Sequence, residues 1–184
     1  MLSSDQREQR QAGSAEPCDG ASDLESRGVD LACAPGLDQV PSIREFIESY
    51  YQIVLRDPDL ISRIAIAAHE LLENAAKYSS RGGSRLRIEI KGGAVPGKVS
   101  VSVSNVADPA RLEELKGTIS ALGKTDDAAE LYQAYIERAA RRDEGSGLGL
   151  ARIRAEAEMS LVLELEGNQV CVKAETPLQQ EEKP

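Results

Sequence analysis

Between Leu60 and Tyr78 the chain carries a helical repeat that commits it to a particular kind of packing. At about 100° per residue, Leu60, Ile61, Ile64, Ala65, Ala68, Leu71, Leu72, Ala75 and Ala76 fall on one broad apolar arc. Such a stripe is wide enough to lie on a domain core. Glu70, Asn74 and Lys77 fall together on a narrow arc away from it, with Arg63 and Ile66 on the same side one to two turns earlier. A carboxylate, an amide and an amine thus share the face that the core does not need. Asparagine is a poor residue for a helix interior, so Asn74 calls for a reason beyond local structure.

The segments around this helix alternate between strand and helix patterns. Val29 to Cys33 is bracketed by Gly28 and the Pro35-Gly36 pair, which favours a short strand and a turn. From Ser42, the residues Ile43, Phe46, Ile47, Tyr50, Tyr51, Val54 and Leu55 recur at helical spacing, and Pro58 ends the run beside two candidate caps, Asp57 and Asp59. The long helix stops at residues 79–83. Leu86, Ile88 and Ile90 then alternate with charged residues, and Val99, Val101 and Val103 with serines, as an antiparallel hairpin around the loop 92–97. Asp108 followed by Pro109 opens a helix that Gly123 closes, and a second helix runs from Asp126 to Arg142. A glycine-rich loop leads into a helix over 148–159. A last hairpin turns at Gly167-Asn168, its outer strand alternating Val170, Val172 and Ala174.

This order predicts an α+β two-layer sandwich, a mixed and mostly antiparallel sheet covered on one face by helices. One domain is expected over residues 27–176. Residues 1–26 hold too few apolar side chains to offset the entropy of ordering and read as a disordered polar tail, with a short polar tail over 177–184.

Composition narrows the function classes. Against 22 basic residues stand 31 acidic ones, a net charge of -9, so the footprint needed to grip a phosphate backbone is missing and no nucleic-acid partner is expected. Cys18, Cys33 and Cys171 form no C-x-x-C pair, and His69 is the one histidine, which argues for a reduced, cytoplasmic protein without structural zinc. No apolar run approaches the roughly 18 residues of a membrane span, and the N-terminus lacks the pattern of an export signal.

Gly145, Ser146, Gly147, Leu148 and Gly149 run straight into a helix. Unpaired N-H groups and the helix dipole together make such a terminus a phosphate site. Alone the loop is a weak signal. Joined to the long helix it gains chemistry: magnesium needs oxygen ligands, which one Asn74 amide oxygen, phosphate and water could supply, and Glu70, a turn earlier, could accept a proton from an attacking hydroxyl or water.

Glu70-x-x-x-Asn74-x-x-Lys77, followed some seventy residues later by the glycine loop, resembles the N box and second glycine box of the GHKL, or Bergerat-fold, ATP-binding superfamily, which includes DNA gyrase, sensor histidine kinases and anti-sigma serine kinases. The resemblance implies ATP and Mg2+ as ligands, Glu70 as base, Asn74 on the metal, and residues 145–149 and Lys77 around the phosphates. It also implies that Asn105 stands where the family holds the adenine amino group with an aspartate. Here an amide replaces that acid, and Ala107 and Pro109 stand where the family has glycines. An amide oxygen can still accept the adenine N-H, without charge assistance. The stand-alone format, with no phosphoacceptor helix pair or sensor domain ahead of it, excludes a complete histidine kinase and is similar to the anti-sigma and SiaB-type kinases, small proteins that phosphorylate a STAS-like partner. A STAS-like or sigma-factor-related protein partner is therefore expected, and a homodimer is left open.

Plainer readings stand beside these. Glu70 would be an ordinary solvated helix residue without its neighbours, and Lys77 also suits the dipole at a helix end. His69 reads as an ordinary helix residue. Residues 117–125 imitate a Walker loop, but the glycine spacing is one too long and a helix precedes it. Arg138, Arg141 and Arg142 could meet phosphate or simply compensate a helix end. Leu131, Tyr132, Tyr135 and Ile136 fit a core or a partner-binding lid equally. Two function classes follow: a protein serine/threonine kinase acting on a partner, or a degenerate module that regulates by binding alone.

Overall fold

In the computed structural model, residues 27–34, 36–91, 97–124, 127–141 and 147–178 are described. The expected tail 1–26 lies outside them, as do residues 92–96, 142–146 and 179–184. Five strands and five helices are found among the described residues: β1 (Val29–Cys33), α1 (Val40–Val54), α2 (Pro58–Tyr78), β2 (Ser79–Lys91), β3 (Lys98–Ala107), α3 (Pro109–Gly123), α4 (Ala128–Ala140), α5 (Leu148–Ala155), β4 (Ser160–Glu166) and β5 (Gln169–Pro177). The strands form one sheet in the order β1-β2-β3-β5-β4, and each of these pairings is antiparallel. Helices cover one face, which makes the two-layer α+β sandwich that the pattern of the sequence predicts.

Strand alternation decides which face is covered. Ile88, Val101 and Ala174 sit in cross-strand register, as do Leu86, Val103 and Val172, and all are buried under the helices. Across them lies α2, presenting Ile64, Ala68, Leu71, Leu72 and Ala75, while α1 packs on α2. Tyr51 of α1 is fully buried and donates its hydroxyl to the Arg27 carbonyl at 3.2 Å; burial holds that hydroxyl far above the ordinary phenol range. Helix starts follow the expected cap chemistry. Asp57 accepts from Leu60 N-H at 3.0 Å, Asp108 from Ala110 N-H at 3.0 Å and Asp127 from Glu130 N-H at 2.9 Å. Gly117, the first glycine of the Walker-like stretch, lies inside α3.

Three local expectations are corrected. The strand expected after residue 83 begins earlier: β2 leaves α2 directly at Ser79, with Ser79 opposite Ala107 and Ser84 opposite Asn105, so five steps along β2 face two along β3. A bulge absorbs the surplus, and the hydroxyls of Ser79 and Ser80 both donate to the Val106 carbonyl, holding the bulged chain to its neighbour. The second strand of the last hairpin is not the outer one. β5 lies between β3 and β4 because its alternating Val170, Val172 and Ala174 are buried, whereas β4, with Glu164 and Glu166 exposed, suits an edge. Finally, α5 ends at Ala155 rather than near 159, since Glu158 takes a φ of 51° and the Met159 N-H turns back to the Ile153 carbonyl at 3.3 Å. Pro177 and Leu178, assigned by composition to the tail, extend the ordered chain, and the Leu178 N-H donates to the Gly97 carbonyl at 2.7 Å.

The uncovered face of the sheet is polar. Asp30 on β1 accepts from Arg85 at 2.6 Å and Arg87 at 2.9 Å, and Lys173 donates to Glu164 at 2.9 Å. Cys33 and Cys171 are free thiols, each pushed up by burial. No helix among the described residues is long and apolar enough to cross a membrane.

Two measurements test this account. Leu72→Ala, at a fully buried position, should cost about 2–5 kcal/mol in urea unfolding. Ile53→Ala, at a position 87% exposed, should change it by no more than about 0.5 kcal/mol. The hydrogen bonds from Arg85 and then Arg87 draw the Asp30 carboxyl down from 3.8 to about 2. A depressed carboxyl stabilises the fold above its unfolded value and loses that contribution as pH falls through the folded one. The stability gap between wild type and Asp30→Asn should therefore shrink as pH falls from about 4 to about 2, and shrink with added salt at neutral pH.

Candidate functional site

Because α2 lays its apolar stripe on β2 and β3, the far edge of that stripe meets open space beyond the sheet's inner face. A cleft forms there, bounded by Leu71, Asn74, Ala75 and Tyr78 of α2, Val103, Asn105 and Ala107 of β3, and Val170 and Val172 of β5. Its other wall is α3, which presents Leu112, Leu115 and Thr118, and Gly147 closes one end. Pro109 as first residue of α3 makes this wall rise almost directly from the end of β3. The cleft holds about 750 Å³ of space between atoms, counting the solvent at its mouth. Its lining is mostly apolar with a few polar groups, the usual composition of a small-molecule site.

Asn74 lines this cleft, and its Nδ2 is buried without a hydrogen-bond partner. A buried amide left in that state costs free energy that a ligand can recover. Asn105 lies on the inner face of β3, opposite Ser84 and Val170, and lines the same cleft. Gly147 caps α5 with a φ of 71°, a left-handed conformation that suits glycine. A Cβ there would stand 2.9 Å from Thr118 Cγ2 and 3.1 Å from the Tyr135 ring. The first N-H groups of α5 therefore begin at the cleft without intrahelical partners. Leu148 is half-buried, while Gly145 and Ser146 lie outside the described residues.

Glu70 sits one turn up α2 from Asn74, at 8% exposure, and does not line the cleft. Gly149 packs on it so closely that a Cβ would collide with its carboxylate. Lys77 does not line the cleft either. It is exposed and paired with Glu73, whose carboxyl is lowered first by that hydrogen bond and further by the Lys77 and His69 charges. His69 reaches the same Glu73 at 3.3 Å.

Several residues of the site escape a reading of the sequence. Arg152 of α5 donates from Nη1 to Glu70 Oε1 at 3.0 Å and from Nε to Glu156 Oε2 at 2.7 Å; the Tyr132 hydroxyl of α4 completes the chain by donating to Glu156 at 3.0 Å. The Glu156 bond contributes most to raising the Arg152 guanidinium, and it outweighs the burial that opposes it. Glu156 is itself held low: burial pushes up, but its bonds from Arg152 and Tyr132 prevail. Only the spacing of Arg152 and Glu156 at i,i+4 is visible in the sequence. Tyr135 is buried beneath the Arg138 guanidinium, whereas Ile136 stays exposed, so α4 is part core and part surface. Arg111 stacks over the Tyr78 ring at the cleft.

The cleft thus offers two side-chain amides, Asn74 and Asn105, and the first N-H groups of α5. The class defined by fold and site is thus a two-layer α+β protein with a polar-ended cleft between its helices and its antiparallel sheet. A chain in the crystal structure of the SiaB-SiaC complex from Pseudomonas aeruginosa has this fold, with a TM-score of 0.61 and 17% sequence identity over 80% of the present chain and 88% of that one. At that identity the likeness is one of fold. No protein-family model matches the sequence, and no curated protein matches it.

Crowding at the cleft is testable by substitution. Gly147→Ala and Gly167→Ala should each lose about 1–2 kcal/mol for the left-handed backbone. Gly147→Ala should lose more in denaturant unfolding, because a Cβ at Gly167 meets nothing within 4 Å.

Proposed function

We propose that the chain is a magnesium- and ATP-binding regulator that controls a protein partner, STAS-like or related to a sigma factor, by phosphorylating a serine or threonine hydroxyl. The observation that carries this reading is the convergence of Asn74, Asn105 and the α5 terminus on one cleft, with a buried amide there lacking a partner. ATP, when bound, supplies the phosphoryl group. Asn74 and the N-H groups after Gly147 would orient it, and the apolar walls would exclude water. Glu70 would receive the hydroxyl proton as the hydroxyl oxygen bonds to the terminal phosphorus and the bond to the departing diphosphate breaks. The fold it shares with a chain of a two-protein complex agrees with a protein partner.

One observation favours the second reading, regulation by binding alone: the Glu70 carboxylate is already engaged by Arg152. Calorimetry with Mg-ATP separates the two. The kinase reading expects binding below millimolar concentration, weakened about tenfold or more in Asn74→Ala. It also expects Glu70→Ala to bind nucleotide while slow ATP turnover falls about 10²-fold or more. An absence of heat at millimolar Mg-ATP would leave only the scaffold.

A further inference from the structure

Arg152 ties a buried carboxylate to the helix that begins at the cleft. Glu70 is 8% exposed, and burying a carboxylate is costly without a partner, here the guanidinium at 3.0 Å. The guanidinium has a different partner at each end. Its Nε is fixed on Glu156, and Tyr132 fixes Glu156 in turn, so rotation about the last bonds of the side chain would move chiefly the Nη end that now meets Glu70. About a third of the Arg152 side chain is exposed. Gly149, in the first turn of the same helix, touches Glu70, and Asn74 at the cleft is one turn from it.

Resting on the nucleotide reading above, we propose that Arg152 is a positioning residue with two stations. Without nucleotide it holds Glu70; with a nucleoside triphosphate in the cleft its Nη end moves to the terminal phosphate and leaves Glu70 free to accept a proton. A guanidinium matches a phosphate in geometry as well as charge, and a terminal phosphate carries more negative charge than a single carboxylate. A diphosphate, lacking that group, leaves Arg152 where it is. The device explains how a carboxylate can be both ion-paired and available as a base.

Calorimetry of Mg-ATP and Mg-ADP with the full chain tests the inference, circular dichroism confirming that each variant is folded. In Glu70→Gln the competing carboxylate is gone, so ATP should bind about tenfold more tightly and ADP as in wild type. In Arg152→Gln the preference for ATP over ADP should fall about tenfold, and in the double variant the gain from Glu70→Gln should vanish. A gain that survives in the double variant would come from removing a negative charge and not from releasing Arg152, and it would overturn the proposal. So would Glu70→Gln binding ATP no more tightly than wild type, a result that also decides the matter should Arg152→Gln fail to fold. In both cases nucleotide binding itself would stand. If wild type and variants bind neither nucleotide, the proposal and the reading beneath it fall together.

Discussion

A helix with one apolar face and one polar arc has to lie down on something, and here it lies across β2 and β3. That single constraint sets the rest. Once Ile64, Ala68, Leu71 and Leu72 are buried on the sheet, Asn74 is carried to the open space beyond it and Glu70 is directed toward α5. The polar arc cannot be rotated into solvent without lifting the stripe from Val101 and Val103, and each large apolar side chain exposed in that way would cost about 1.5–3 kcal/mol. Position at the site is therefore held by burial some distance from it.

The cleft results from what the helical layer leaves uncovered. α2 roofs β2 and β3, and α3, started by Pro109 at the end of β3, stands opposite as a second wall. Between them Val103, Asn105, Val170 and Val172 form a floor on which a single polar residue interrupts an apolar surface. Its apolar surroundings give such a half-buried residue its directing power, since an amide there discriminates between a ligand that satisfies it and one that does not. Linking α2, α5 and α4, the chain Glu70-Arg152-Glu156-Tyr132 provides a physical connection between the neighbourhood of the cleft and the helix whose Ile136 remains exposed.

Much of this was legible in the residues themselves. Periodicity located the helices and the two hairpins, because each element must bury one face and the spacing of 3.6 or 2 records which. Cap residues such as Asp108 located helix starts, because an N-cap is a local hydrogen bond. The pairing of Asn74 with Gly147 was readable as chemistry, and both line one cleft. Harder to read were Ser79 to Gly83, where turn-forming residues are drawn into a bulged strand by their neighbour β3, and Lys77, whose arc was right but whose amine found a nearer partner in Glu73.

What the sequence determined by itself was local: which segments coil or extend, which face of each is apolar, and which polar side chains stand on the spare face of α2. The tertiary structure alone decided which strands become neighbours, that β5 lies inside and β4 at the edge, and that an arginine 82 residues away in the chain closes on Glu70. The division has a physical cause. Periodicity and caps depend on neighbours within a turn or two of backbone, whereas strand order and the Arg152 pair depend on surfaces that exist only after the layers have packed.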